Sequence, residues 1–266
     1  FYGRVVGGDN SEPEDGLDVV TTLDLEMQDV ADRALRRQLE AQNALWGTAL
    51  VMEVATGDLL AMANLSRTKS GAYAEVKNHA LSSRMEPGST FKLAALLALV
   101  DDAGMSLDET FDTGNGARVK VGRTTVQDSH GLPPLNLKDA VAHSSNVFFA
   151  RAVYETYKDD PERYVDYLRH LHLDRTVGLE EFGAVAPIFP APGMKIWYPD
   201  VSIVNMGYGY AIELTPLHTL TLYNAVANDG CMVAPRLVRE IRRGGEVVER
   251  PERRVLVDKI CSSSAL

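Results

Sequence analysis

Glu86-Pro87-Gly88-Ser89-Thr90-Phe91-Lys92 runs without a break into Leu93-Ala94-Ala95-Leu96-Leu97-Ala98-Leu99-Val100. Pro-Gly interrupts whatever precedes it and the apolar run makes a buried helix, so Ser89 is expected at that helix's N-terminus. Free backbone N–H groups and the helix dipole favour developing negative charge there. Lys92, three residues on, shares a helical face with Ser89 and is within reach of its hydroxyl. A serine and a base on one helix form a nucleophile pair. The plain alternative is a helix cap followed by a surface lysine. Ser66-Arg67-Thr68-Lys69 has the same spacing but no apolar helix behind it, and is read as coincidence.

Further along, Ser144-Ser145-Asn146 sits between Ala140-Val141-Ala142-His143 and Val147-Phe148-Phe149-Ala150. Buried polar groups cost free energy unless bonded, so this cluster should face a cleft or network, or form a satisfied turn between two helices. Residues 137–157 and 161–171 carry helical patterns, which makes the middle of the chain mostly helical. Toward the N-terminus, residues 1–16 read as a linker, β-prone residues 18–22 follow, and Asp24 caps a helix with Met27, Val30, Ala31, Ala34 and Leu35 on its apolar face. Residues 48–54 and 59–63 flank Ala55-Thr56-Gly57-Asp58 as a hairpin whose strands look buried on both faces. Thr215-Pro216 opens a helix through Leu217, Leu220, Tyr223 and Ala227 that stops at Asn228-Asp229-Gly230. Residues 238–242 and 246–249 form a second, charged hairpin suited to a sheet edge.

Twenty-seven Lys and Arg against 37 Asp and Glu leave the 266-residue chain at −10, a surface that repels phosphate backbones, so no nucleic acid partner is expected. The longest apolar run, residues 93–100, falls well short of the ~20 residues a membrane-spanning helix requires. The start, Phe1-Tyr2-Gly3-Arg4, has no signal-peptide character. Cys231 and Cys261 suit neither a disulfide framework nor a metal site. The histidines, His170-x-His172 included, lack ligand spacing, so no metal site is expected, and Gly114-x-Gly116 is a turn, not a dinucleotide or phosphate loop.

The two polar motifs together resemble the serine penicillin-recognising acyltransferases, and within them the transpeptidase domain of class B penicillin-binding proteins, of the cell-division more than the elongation type. Ser89-Thr90-Phe91-Lys92 matches the Ser-x-x-Lys element and Ser144-Ser145-Asn146 the Ser-x-Asn element, in the family's order. Asp18-Val19-Val20-Thr21-Thr22-Leu23-Asp24 with Gln28, residues 49–58, Met206-Gly207-Tyr208-Gly209-Tyr210, Leu214-Thr215-Pro216-Leu217 and residues 223–230 extend the likeness over 17–266. The family's third element, Lys-Thr/Ser-Gly, has only Lys69-Ser70-Gly71 as a match, ahead of Ser89 in a polar loop. The chain is therefore expected to stop before that element, with its sheet incomplete at the C-terminal end.

The resemblance implies an α/β (α+β) fold: an antiparallel-sheet lobe from residues 17–64 and 228–266, and a mainly helical lobe from 65–227, with Ser89 at their junction. It implies acyl transfer without a cofactor. Ser89 attacks a carbonyl, neutral Lys92 takes its proton, Ser144 relays that proton to the leaving amine, and Asn146 holds Lys92 and a substrate amide. The implied partners are the D-alanyl-D-alanine end of a peptidoglycan stem peptide, β-lactams as acylating mimics, and membrane proteins of cell division. The implied place is the outer face of the cytoplasmic membrane, through an N-terminal anchor that this chain lacks. A β-lactamase or D,D-carboxypeptidase would share the motifs but pass the acyl group to water, and a β-lactam sensor or truncated domain would bind without turnover; lacking the third element, the 266-residue chain alone is expected to be inactive.

Overall fold

The computed structural model describes residues 16–266, so the linker expected over residues 1–16 lies, except for Gly16, outside the described residues. Strand β1 (Asp18–Thr21) leads into α1 (Leu25–Gln42), whose N-cap Asp24 accepts from the Met27 amide. The packed face of α1 is Ala31, Leu35 and Leu39, while Met27, Val30 and Ala34 are exposed. The expected stripe is thus rotated by about one position. Gln28 explains the rotation: its side-chain amide pairs with the backbone of Met62, accepting from N at 2.7 Å and donating to O at 3.2 Å, and this polar contact faces the sheet.

Strands β2 (Trp46–Met52) and β3 (Leu59–Arg67) pair antiparallel from Trp46↔Ser66 to Met52↔Leu59, and β4 (Tyr73–Ala74) continues the sheet beyond β3. The hairpin exists as expected, but β2 stops two residues earlier than Val54, and the turn closes with Glu53 N–H donating to Asp58 O. Only β3 is deeply buried, with Leu59, Ala61, Ala63 and Leu65 fully covered; β2 is half-buried, since among the described residues it has a partner on one edge only.

After α2 (His79–Ser82) the apolar run is not one regular helix. A 3₁₀ turn spans Gly88–Phe91, α3 spans Lys92–Leu97, and a π turn spans Ala98–Asp102. Ala98 O accepts both from Ala103 N, five residues on, and from the Tyr157 hydroxyl, which keeps this turn wide. Short strand pairs follow: β5 (Thr110–Phe111) with β8 (Leu135–Asn136), and β6 (Val119–Val121) with β7 (Thr124–Val126). The single helical pattern over 137–157 is two helices, α4 (Leu137–Ala142) and α5 (Asn146–Tyr157). Around α5 pack α3, α6 (Pro161–His170) and α7 (Ser202–Met206), and their main core buries Phe91, Leu99, Phe148, Phe149, Tyr157 and Tyr164.

Helix α8 (Pro216–Ala227) returns the chain to the sheets. There β9 (Met232–Val233) pairs with β12 (Val255–Val257), and β10 (Val238–Arg243) pairs with both β1 and the exposed edge strand β11 (Glu246–Glu249). Thr22 N–H donates to Leu237 O, and the Asp58–Arg236 ion pair, at 2.5 Å and largely buried, ties the start of β3 to the approach to β10.

Candidate active site

The site begins with the break between α4 and α5. Ser144 N–H donates to Val141 O and Ser145 N–H to Ala140 O, the two bonds of a Schellman motif, and Ser144 takes the left-handed position (φ 51°) that such motifs usually give to glycine. A side chain held there costs about 1 kcal/mol. Ser145 then caps α5, its Oγ accepting from Phe148 N at 3.0 Å. One turn therefore closes a helix, opens the next and presents Ser144 and Asn146 on either side of a fixed Ser145.

Lys92 points into this turn. Its Nζ donates to Ser144 O (2.5 Å), Ser144 Oγ (3.0 Å) and Asn146 Oδ1 (2.7 Å), and lies 5.7 Å from the centre of the Phe149 ring. The residue is only 6% exposed. Burial lowers its amine to about 8, against an opposing pull from the Asp128 carboxylate. All three Lys92 bonds go to the Ser144–Asn146 turn and none to Ser89, so the direct Ser89–Lys92 hydroxyl contact expected from spacing is absent.

Ser89 instead stands exposed in the 3₁₀ turn before α3, on the wall of the same cleft. That cleft encloses about 280 Å³ and is lined by Ser89, Lys92, Leu93, Leu96, Val141, Ser144 and Tyr223. The Ser89 turn is braced from outside the motif: Gly88 N–H donates to Gly209 O, Ala211 N–H to Glu86 Oε1, and the Tyr223 hydroxyl to Thr90 O. A Cβ on Gly209 would lie 1.9 Å from Gly88 O, so only glycine fits. The Tyr208 and Tyr210 rings meet at 5.1 Å; Tyr208 bonds Asn205 while Tyr210 is exposed.

Sequence reasoning missed Asp128, whose carboxylate accepts from Ser145 Oγ (2.8 Å), Asn146 N (2.5 Å) and Val147 N (3.1 Å). Nothing local in Gln127-Asp128-Ser129 announces a helix cap 17 residues downstream. The rejected motifs lie elsewhere: Ser66 bonds His79 Nε2 at the end of β3, and Lys69-Ser70-Gly71 forms the turn to β4. A larger hollow of about 680 Å³ lies between β10 and residues 179–182, and none of the four motif residues lines it.

The family model for the penicillin binding protein transpeptidase domain matches residues 47–264. Among curated proteins, PbpB of Mycobacterium tuberculosis is 29% identical over 249 residues, 89% of this chain and 35% of that one. The "Probable peptidoglycan D,D-transpeptidase PenA" of Neisseria gonorrhoeae is 26% identical over 229 residues, covering 84% and 38%. The chain thus spans little more than a third of the length of these relatives. Among solved structures, apo penicillin-binding protein 3 of M. tuberculosis superposes with a TM-score of 0.82 at 26% identity, over 97% of this chain and 58% of that one, and it has also been solved with aztreonam and with ampicillin. Penicillin-binding protein 2X of Streptococcus thermophilus shares the fold, with a TM-score of 0.78 at 22% identity, over 94% and 37%.

Proposed function

The chain belongs to the penicillin-binding protein transpeptidase domain family, and from that premise we propose that it carries the acyl-transfer centre of a class B peptidoglycan D,D-transpeptidase. The observation that carries this reading is the buried Lys92 amine, held by Ser144 and Asn146 beside Ser89 in one cleft. With its amine near 8, about one Lys92 in ten is neutral at pH 7, against about one in a few thousand for an ordinary lysine. Neutral Lys92 accepts the Ser89 proton as Oγ bonds to the carbonyl carbon. The resulting oxyanion is met by the Ser89 N–H, which sits in a first turn where amides have no intrahelical acceptor. As the C–N bond breaks, the proton passes from Lys92 through the Ser144 hydroxyl to the departing amine, leaving an ester on Ser89. An incoming amine reverses these transfers and takes the acyl group.

We propose the D-alanyl-D-alanine end of a stem peptide as donor, a neighbouring stem's amine as acceptor, and β-lactams as mimics that stop at the ester. The antibiotic complexes of the similar structure support the last point. Among the described residues no carboxylate lines the cleft, so the water-activating base that a penicilloyl hydrolase needs is missing there, which favours transfer over hydrolysis. By extension from the family, whose relatives are named for peptidoglycan, we propose membrane partners in cell division and a place outside the cytoplasmic membrane. We also propose two lobes, residues 17–64 with 228–266, and residues 65–227; the β1–β10 pairing and the Asp58–Arg236 tie support the first as one unit, and the residues lining the cleft all come from the second. Mass spectrometry of the intact protein after penicillin treatment tests the centre: the adduct is expected on the peptide containing Ser89 and lost in Ser89→Ala. Undiminished labelling of that variant overturns the assignment.

A further inference from the structure

Asp128 lies between β7 and α4, 7% exposed, and among the described residues it has no ion-pair partner. A buried carboxylate is costly unless hydrogen bonds and an electropositive environment replace water. Both are supplied by the N-terminus of α5. Oδ1 accepts the first two amides of the helix, from Asn146 and Val147, and Oδ2 accepts the Ser145 hydroxyl, whose own lone pair takes the third amide, from Phe148. Ser145 is therefore gripped from both sides and Asn146 at its N–H. The three bonds to Lys92 Nζ come from the residues flanking Ser145, namely Ser144 O, Ser144 Oγ and Asn146 Oδ1.

We propose that Asp128 is the positioning residue of this site: by clamping Ser145 and the first turn of α5 it fixes the place at which Ser144 and Asn146 receive Lys92, and its charge acts on Lys92 through that turn. It touches no reacting atom. Its effect on acylation rests on the acyl-transfer function proposed above, whereas its hold on Lys92 does not. The other groups lining the cleft with Lys92 are Ser89 in the 3₁₀ turn, the Tyr223 phenol from α8, and the apolar Leu93, Leu96 and Val141 from α3 and α4, with the Phe149 ring of α5 close to its amine; His143, at the end of α4, is exposed. Asp128 is the carboxylate whose charge reaches the Lys92 amine.

The test follows two readouts in the intact protein and in Asp128→Asn, Asp128→Ala and Ser145→Ala: the titration of Lys92 by NMR of ¹³Cε-labelled lysine, and the rate of acylation by a fluorescent penicillin across pH. Asp128→Asn keeps an acceptor oxygen for the two amides but has no charge, so the Lys92 midpoint should fall by about half a pH unit or more. Asp128→Ala releases the turn, and its high-pH acylation rate should drop about tenfold or more. Ser145→Ala loses both bonds of its hydroxyl, to Asp128 and from Phe148, yet keeps the carboxylate and its hold on the Asn146 and Val147 amides; it should melt earlier with the Lys92 midpoint unmoved. A merely structural carboxylate predicts otherwise. An Asp128→Asn midpoint equal to the parent's overturns the proposal, as does an Asp128→Ala rate within about twofold of it. Should Asp128→Ala not fold, the Asp128→Asn titration decides alone. A parent that is never acylated, with the Lys92 midpoint still displaced in Asp128→Asn, overturns the function and upholds the positioning.

Discussion

Ser144 is the residue where folding and chemistry pull in opposite directions. Its left-handed backbone suits glycine, yet its hydroxyl is the group beside Lys92 that relays the proton in the proposed mechanism. Ser144→Gly should therefore raise stability by about 0.5–1 kcal/mol while slowing acylation, whereas Ser144→Ala should slow acylation without the gain; denaturant unfolding beside a penicillin-binding assay checks both. Lys92 makes a second prediction. Because acylation needs the neutral amine, its rate should rise with pH and level off above about 8, and Lys92→Arg should abolish it, since a guanidinium does not give up its proton. Stability shares the same origin. The folded amine is depressed to about 8, so between there and the unfolded value the unfolded chain binds more protons, and stability should climb with pH across that window. Unfolding at pH 7.5 and 10, compared with Lys92→Met, isolates that slope. Ser89, Lys92, Ser144 and Asn146 are legible in the sequence because each pair sits within one turn of chain. Asp128 is not, because its bonds span 17 to 19 residues.

At the level of elements, local signals read well where one cap or turn decides and poorly where a distant partner does. Asp24 and the Pro216 start of α8 place their helices correctly, and the charged hairpin of β10 and β11 forms as its alternation implies. The break between α4 and α5 has no Gly or Pro to mark it; the Schellman turn is built on a serine, and its stability comes from Asp128. The face of α1 turns because Gln28, polar in the sequence, pairs with Met62. The Ser89 turn likewise depends on a segment more than a hundred residues away, which makes Gly209 a sharp test. Gly209→Ala should cost about 2 kcal/mol or more and impair acylation, because its Cβ drives against Gly88 O. Gly193→Ala shares the positive φ but meets open space, and should cost only about 1 kcal/mol with acylation kept. Equal losses from the two would mean that strain alone, not contact with the Ser89 turn, sets the cost at Gly209.

For the molecule as a whole, the half-buried state of β2 is the feature the sequence misjudges. Its residues look apolar on both faces, but burial of a strand requires neighbours, and among the described residues β2 has only β3. Beside its free edge an apolar groove of about 440 Å³ runs along Thr48, Leu50, Thr90, Pro216, Leu220 and Tyr223. The 266-residue chain on its own should therefore self-associate or take up an apolar-sensing dye. A monodisperse, dye-silent species on size-exclusion chromatography would show that edge to be adequately protected. The pairing of β1 with β10 has a further consequence, in time rather than in space. Asp18 meets Arg242, so among the described residues β1 has no strand partner until more than 200 further residues have been added. At ribosomal speeds of 5–20 residues per second that wait is roughly 10 to 45 s. β1 and β10 must find each other across a loop whose closure is entropically costly, so folding should be slow and β1 should spend the interval open to misassembly.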